Sequence, residues 1–411
     1  MSDNSLLSPF ILPEQEKISI PNSLKNSTLL ATDYYNLDAL LEDKHLETRT
    51  MVRAWVEREV LPIIEDYTEK AETPTHLYKS LAKIGALGTN LPTKYGCGGQ
   101  DEITYGIYSQ ELERGDSAIR SMASVQSSLV MYPIYRFGSE EQKEYYLPKL
   151  ASAEFIGCFG LTEPNHGSNP LGMLTNIVDD GDAYILNGSK MWITNAPIAD
   201  IALVWAKDEN GKIRGIIVEK GMKGFSAPKI GGKLSFRASI TGELIFEDVR
   251  VPKENILPNV KGMKGPLSCL SKARFGIFWG MIGVAIDCYE AALQYSIKNP
   301  SIGASQLVQK KLAEMITEIT KAQLLSWRLG TLANKGKVKP AQISMAKRNN
   351  VQTAMKVSRA ACQILGPAGM TSAYPIMRHL MNLESVVTYE GTHDIHLLIT
   401  GMDVTGYNAF K

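Results

Sequence analysis

The stretch Tyr389-Glu390-Gly391-Thr392-His393-Asp394-Ile395-His396 sets one acid, Glu390, between an aromatic residue and a glycine. Thr392 stands where a helix N-cap belongs, ahead of the apolar run Ile395, Leu397, Leu398 and Ile399. Glu390 is therefore expected just outside a helix start, on a turn that Gly391 leaves free to aim a carboxylate inward. A carboxylate aimed into an apolar cleft can act as a general base, because burial raises its pKa toward the working pH. The plainer alternative is an acid that favours a helix N-terminus electrostatically. A second candidate is Arg120, which lies among Ile119, Met122, Ala123 and Val125. An unpaired buried charge is very costly. Arg120 thus either forms a structural ion pair with Glu113 or Asp116, or awaits a substrate carboxylate that its guanidinium would grip bidentately.

Two further segments offer binding chemistry. Phe159-Gly160-Leu161-Thr162-Glu163-Pro164 and Trp192-Ile193-Thr194-Asn195 each end a strand with a threonine hydroxyl beside an aromatic or aliphatic surface. Such a site suits a planar heterocycle with hydrogen-bonding edges, and the Gly167-Ser168 turn offers backbone N–H groups to a phosphate. Taken singly, each is an ordinary strand end or turn. His393 and His396 are three apart, but a catalytic metal takes three protein ligands and no third is evident, so no metal site is expected. His166 is read as a bystander or hydrogen bonder.

Positioning these groups requires several cores, and 411 residues with 44% hydrophobic content suffice for two or three domains. A net charge of +1 gives no reason to expect a nucleic acid or an anionic membrane as partner. The five cysteines are scattered without a CxxC pair, which suits a reducing compartment. No apolar run reads as a membrane span. No signal, transit or peroxisomal sequence is evident, and the chain reads as a cytoplasmic bacterial protein.

In order, residues 1–32 read as a loosely held arm rich in Ser, Pro and Asn. Residues 33–153 read as an α-helical domain: a helical pattern from Asp38 continuing past Pro62, a short helix over Leu77–Ile84, then long helical segments over Tyr105–Arg114 and Ser117–Arg136. Residues 154–262 read as a central β domain, with strands near Phe155–Leu161, Ala183–Leu186, Lys190–Thr194, Ile201–Ala206, Gly215–Glu219 and Glu243–Phe246. Turns at Asp180-Gly181, Asn187-Gly188 and Asn210-Gly211 would separate strands, which argues for a small antiparallel barrel or sandwich and against a Rossmann unit. Residues 263–411 read as a C-terminal four-helix bundle, with helices over Gly265–Ile297, Gln306–Gly330, Ala341–Leu365 and Pro375–Val387. The fold class is thus α+β and multidomain.

From about Asp38 to Phe410 the chain resembles the acyl-CoA dehydrogenase superfamily of flavoproteins. The resemblance is carried by Leu161-Thr162-Glu163-Pro164 with Gly167-Ser168, by Trp192-Ile193-Thr194-Asn195 and by Tyr389-Glu390-Gly391-Thr392. Within it the chain looks most like the glutaryl-CoA dehydrogenase branch, on Glu111-Leu112-Glu113-Arg114, Arg120-Ser121, Ser124 to Ser128, Arg378-His379, Met381 to Glu384 and Glu390 to His396. The resemblance implies FAD as cofactor and glutaryl-CoA as acyl-CoA substrate, oxidised and decarboxylated to crotonyl-CoA and CO2. It also implies an electron-transfer flavoprotein as acceptor and a homotetramer. It makes Glu390 the α-proton acceptor. It places Phe159, Leu161, Thr162, Trp192, Ile193 and Thr194 around the flavin ring, with Thr194 near the flavin N5, and Ser168 near flavin phosphate and substrate. Gln306, Gln363, Gly366, Thr392, Asp394 and Phe410 would contact FAD, partly from a neighbouring subunit. Arg274 and the segment before it would hold CoA, Arg120 and Ser121 the distal carboxylate, Glu113 would assist decarboxylation, and Gly391 would adjoin the substrate.

The sequence departs from the family pattern twice. Where the family carries Arg-x-Gln-Phe-Gly, this chain has Lys298-Asn299-Pro300-Ser301-Ile302-Gly303, and Leu365-Gly366-Pro367-Ala368-Gly369 replaces Leu-Gly-Gly-x-Gly. Both changes fall where the resemblance places the ADP half of FAD. One lost charge-assisted contact weakens binding by roughly 1.5 to 3 kcal/mol.

Overall fold

The computed structural model describes residues 32–410, so nearly all of the arm expected at the N-terminus lies outside the described residues. Among the described residues the first α-helix, α1 (Asp43–Glu59), stops before Pro62, and α2 (Ile64–Lys70) starts after it. The uninterrupted pattern expected there fails because proline lacks the N–H a helix interior needs. After α3 (Leu77–Lys83), α4 (Glu102–Gly115) opens on Asp101, whose side chain accepts from Thr104 N at 2.8 Å. The next helix, α5 (Ser117–Ser124), opens on Asp116. It runs into a π-helical segment, Val125–Met131, and on into α6 (Tyr132–Phe137). The long helix expected over Ser117–Arg136 is therefore continuous in path but changes its winding midway. A capping box at Ser139 and Gln142 starts α7 (Glu140–Ala151).

The central sheet has seven strands: β1 (Gly157–Gly160), β2 (Asn176–Asp179), β3 (Ala183–Thr194), β4 (Ile201–Lys207), β5 (Ile213–Glu219), β6 (Phe225–Ser226) and β7 (Thr241–Pro252). Their order is β1-β4-β2-β3-β7-β6, with β5 on β4. Most pairings are antiparallel as expected, but β1 and β2 each lie parallel to β4, so the sheet is mixed. Asn187-Gly188 is not a turn. It lies inside β3, which runs through without a break, at a register shift against β7. The Asn187 side chain is tied to Asp248 there, donating to its carboxylate and accepting from its N–H. A bulge and a hairpin use the same residue types, since both need relaxed backbone. Alternation along β4 sends Ile201, Leu203 and Trp205 into a core with Leu129, Ile134 and Leu147. It sends Ala202, Val204 and Ala206 into one with Leu186, Phe246 and Val249.

The C-terminal helices are α8 (Lys264–Lys298), the single turn α9 (Pro300–Gly303), α10 (Gln306–Asn334), α11 (Pro340–Leu365), α12 (Ile376–Thr388) and α13 (His393–Thr405). By length and composition an 18-residue stretch of α8 could cross a membrane, which corrects the expectation that no run is long enough. That stretch is 83% buried in the protein, however, and α8 is the central helix against which both helical units pack. Three glycines allow α4 to approach it. A Cβ at Gly276 would meet Tyr105 and Ser109, one at Gly280 would meet Glu113, and one at Gly283 would meet the Gln110 carbonyl. This seam fixes where Glu113 points.

Gly283→Ala should lower stability by about 1–3 kcal/mol, because backbone must move to admit the methyl group. Gly401→Ala, in α13 with open space around it, should instead stabilise by about 0.5–1 kcal/mol through helix propensity. Chemical denaturation of both variants checks the contrast, and equal signs would contradict the seam.

Candidate active site

The last turn of α12 delivers Tyr389 in extended conformation, and the chain then turns sharply. Glu390 has φ 53° and Gly391 φ 94°, both in the left-handed region. For a non-glycine such as Glu390 that conformation costs about 1–3 kcal/mol. Thr392 caps α13 as expected, its Oγ1 accepting from Ile395 N at 3.2 Å. Two buried cations hold the turn by its backbone. Arg274 Nε, on α8, donates to the Glu390 carbonyl at 2.7 Å. Lys347 Nζ, on α11, donates to the carbonyls of Tyr389 at 2.7 Å and Gly391 at 2.8 Å. Arg274 was expected to hold CoA, and in this structure its bond is to the turn.

Glu390 points inward. Its Oε2 is shut off from solvent and has no hydrogen-bond partner among the described residues. Burial pushes its pKa above the ordinary carboxylate range, while Arg120, Arg274 and Lys347 pull it back. The structure decides which acid pairs with Arg120, which is only 1% exposed. Glu113 accepts its fork bidentately, from Nε at 2.9 Å and Nη2 at 3.1 Å. The Tyr389 hydroxyl also accepts from Nη2. Asp116 is occupied elsewhere, accepting from Arg378 at 2.7 Å and Asn382 at 2.9 Å. Ser121 is buried beside Arg120 in sequence, and the Tyr105 hydroxyl meets Ser128 Oγ at 2.8 Å.

The second cluster lies at the ends of β1 and β3. Met191 N donates to the Thr162 carbonyl at 2.8 Å, which brings the two expected segments side by side. Phe159, Leu161 and Ile193 are buried, and Thr162 and Thr194 are half-buried. Trp192 sits at a second register shift, between Lys190 and Ile193, with φ 63°, and its side chain is 58% exposed. An aromatic plane presented on a bulge beside half-buried threonines fits a planar ring. Ser168 is exposed on the following loop. Behind this face Lys190 and Glu163 form a buried pair at 2.8 Å, and Glu163 accepts from Leu174 N and Thr175 N. His166 lies 3.6 Å from Glu163.

The remaining candidates are more dispersed. Gln306, Gln363, Asp394 and Phe410 are exposed, and Gly366 and Thr392 are half-buried. No hydrogen bond among the described residues joins any of them to the Thr162–Trp192 face. Gly366 has φ 59° and ψ −134°, a combination open to glycine, directly before Pro367. Asn299 turns back on its own helix, its Nδ2 donating to the Tyr295 carbonyl at 2.8 Å.

Lys347 and the Tyr389 hydroxyl were not among the residues expected. A signal for the lysine exists: Ile343, Lys347, Val351 and Ala354 share one apolar face of α11, all buried. A charge at such a position needs partners, and these are backbone carbonyls that no side-chain pattern announces.

Models of the acyl-CoA dehydrogenase N-terminal, middle and C-terminal domains match residues 42–154, 158–249 and 260–405. The chain is similar to a glutaryl-CoA dehydrogenase from Mycobacterium smegmatis solved in complex with FADH2. Identity is 45% and the TM-score 0.91, covering 93% of this chain and 99% of that one. A glutaryl-coenzyme A dehydrogenase solved with glutaryl-CoA is 30% identical with a TM-score of 0.86, covering 90% and 98%. The short-chain specific mitochondrial acyl-CoA dehydrogenase of Rattus norvegicus is 33% identical over 391 residues, 92% of this chain and 94% of that protein. Three matched domains in order, with likeness along nearly the whole length, establish that this chain belongs to the acyl-CoA dehydrogenase family.

Proposed function

We propose that the chain uses FAD to oxidise glutaryl-CoA and releases crotonyl-CoA and CO2, with Glu390 as the α-proton acceptor. The observation that carries this reading is the charge balance of the cleft. Arg120, Arg274 and Lys347 surround two carboxylates, Glu113 and Glu390. Burial lowers Lys347 to about 7; with all three cations charged, one positive charge is left over in buried surroundings, and the distal carboxylate of a dicarboxylyl thioester would favour and neutralise that state. A monocarboxylic acyl chain brings no such charge. The higher identity to the Mycobacterium smegmatis protein than to the rat short-chain protein supports the same choice.

Phe159, Leu161, Thr162, Trp192, Ile193 and Thr194 would hold the isoalloxazine, and Ser168 a phosphate. Gln306, Gln363, Gly366, Thr392, Asp394 and Phe410 would reach the ADP half, in part across the subunits of a homotetramer. The bound flavin supplies a hydride acceptor for the β-hydrogen and a route to an electron-transfer flavoprotein. Glu390 performs the proton chemistry. A thioester α-proton is weakly acidic, and burial brings the Glu390 carboxylate closer to it in pKa. Arg120 and Ser121 would fix the far end of the acyl chain, so that the α-carbon is presented to Glu390. Once the α,β double bond exists, the distal carboxylate leaves as CO2, its bonding electrons pass into the conjugated thioester, and the proton on Glu390 returns to the γ-carbon. Glu113 already shares the Arg120 fork, so the departing carboxylate is held less firmly than by a free guanidinium.

A second reading, an acyl-CoA-binding homologue with impaired FAD binding, is favoured by Asn299, whose side chain caps its own helix instead of reaching outward. Flavin absorbance in freshly purified protein separates the two. We expect FAD to be present, held roughly ten- to hundredfold more loosely than with an arginine at position 299. Protein that is colourless and cannot be loaded would overturn the redox reading.

Arg120→Met in a Glu113→Gln background leaves no orphan charge. Its kcat/KM for glutaryl-CoA should fall about ten- to hundredfold, with butyryl-CoA changed far less. Equal losses on both thioesters would reject the carboxylate anchor. Glu390→Gln should lower turnover of glutaryl-CoA by about 10²–10⁴ while flavin stays bound. A raised carboxyl pKa favours the folded state while protonated, and that contribution is lost as pH climbs from the unfolded value of about 4.3 through the folded one. Glu390→Gln should therefore melt higher than the parent at neutral pH, the gap closing near pH 4. A gap that widens toward acid would contradict the burial effect.

A further inference from the structure

Lys347 is 1% exposed at an apolar-face position of α11, where a lysine is among the costliest side chains to bury. It has no carboxylate within ion-pair distance among the described residues. Its Nζ instead donates to the carbonyls of residues 389 and 391, one on each side of Glu390, while Arg274 takes the carbonyl between them. The chain gripped in this way has two consecutive positive φ angles, a geometry that persists only when its surroundings over-determine it. A neutral donor could satisfy these carbonyls. An ammonium group adds a charge in low dielectric close to the Glu390 carboxylate.

Arg120 and Arg274 also favour the Glu390 carboxylate, more strongly than Lys347 does, but only Lys347 bonds the backbone on both sides of it. Arg120 on α5 is paired with Glu113 on α4. Arg274 on α8 has its Nε committed to backbone. Tyr105 and Tyr389 keep their hydroxyl protons because burial raises both. His396 on α13 is kept neutral by burial and the neighbouring cations, and burial likewise lowers His393. Burial, with Arg274 and Arg120 beside it, also lowers Lys347 itself, to about 7, and the Glu390 charge opposes that.

We propose that Lys347 is the positioning residue of the base, clamping the backbone on both sides of Glu390 and setting an ammonium group beside its carboxylate. This rests on Glu390 being the base. The test is an infrared titration of the Glu390 carboxyl in the full chain, the band being assigned by its loss in Glu390→Gln. Lys347→Met should move the midpoint upward by about one pH unit or more. Lys347→Gln, which keeps an amide donor but no charge, should do the same even if the methionine variant folds poorly. Lys347→Arg should leave it near the parent value. The acid limb of kcat/KM for glutaryl-CoA should move with the midpoint, with kcat affected more than KM. An unmoved midpoint in the glutamine variant, or an arginine variant that shifts as far as glutamine, overturns the proposal. A parent protein that titrates as described yet never reduces its flavin with any acyl-CoA instead overturns the reading of Glu390 as base, and the infrared comparison still decides the role of Lys347.

Discussion

Charges removed from water must be held by something else, and the centre of this protein is arranged around that requirement. Each buried ion near Glu390 has a definite substitute for its hydration. Arg120 has Glu113, Arg274 has the Glu390 carbonyl, and Lys347 has the carbonyls on either side. Glu390 is the exception, with one oxygen unpartnered among the described residues. A buried polar atom without a partner is normally strongly disfavoured, and a bound ligand would complete the set.

The larger architecture follows from bringing those groups together. They come from α4, α5, α8, α11 and the turn after α12, so the two helical units cannot be assembled independently. The glycine seam between α4 and α8 gives the close approach. Asp116 and Arg378 then tie the start of α5 to α12, and Glu65 on α2 takes the remaining edge of the same guanidinium. The β domain contributes a separate face, where Thr162 and Trp192 are joined through one backbone hydrogen bond. The sheet is covered on one side by the π-helical segment and α7, which fixes that face relative to the helices.

Much of this could be read from the chain itself. The cap at Thr392 and the glycine at 391 locate Glu390 because capping chemistry is local. Glu113 and Arg120 are seven residues apart across a helix break, so their pairing was within reach of the sequence, although Asp116 was an equally open partner. Other features depend on distant neighbours. Asn187-Gly188 has the composition of a hairpin, and only its pairing with β7 makes it a bulge. The parallel neighbours of β4 come from segments far apart in sequence. The apolar length of α8 is the same in a membrane helix and in a helix wrapped by protein on every side. Lys347 escapes notice because its partners are main-chain atoms, which carry no residue-type signature.

The π-helical stretch from Val125 to Met131 carries a less obvious implication. Gln126 there reaches the carbonyls of Leu150 and Phe155 and the N–H of Gly157, Ser127 meets Gly88 N, and Ser128 meets Tyr105. Three adjacent side chains thus brace three separate parts of the molecule: the exit of α7 with the start of the sheet, an N-terminal loop, and α4. Ordinary helical winding would swing each of them by a different angle per residue, so this spoke-like arrangement depends on the looser coil. Taking one residue out of the stretch would therefore turn these spokes out of register with their partners even if all three side chains were kept.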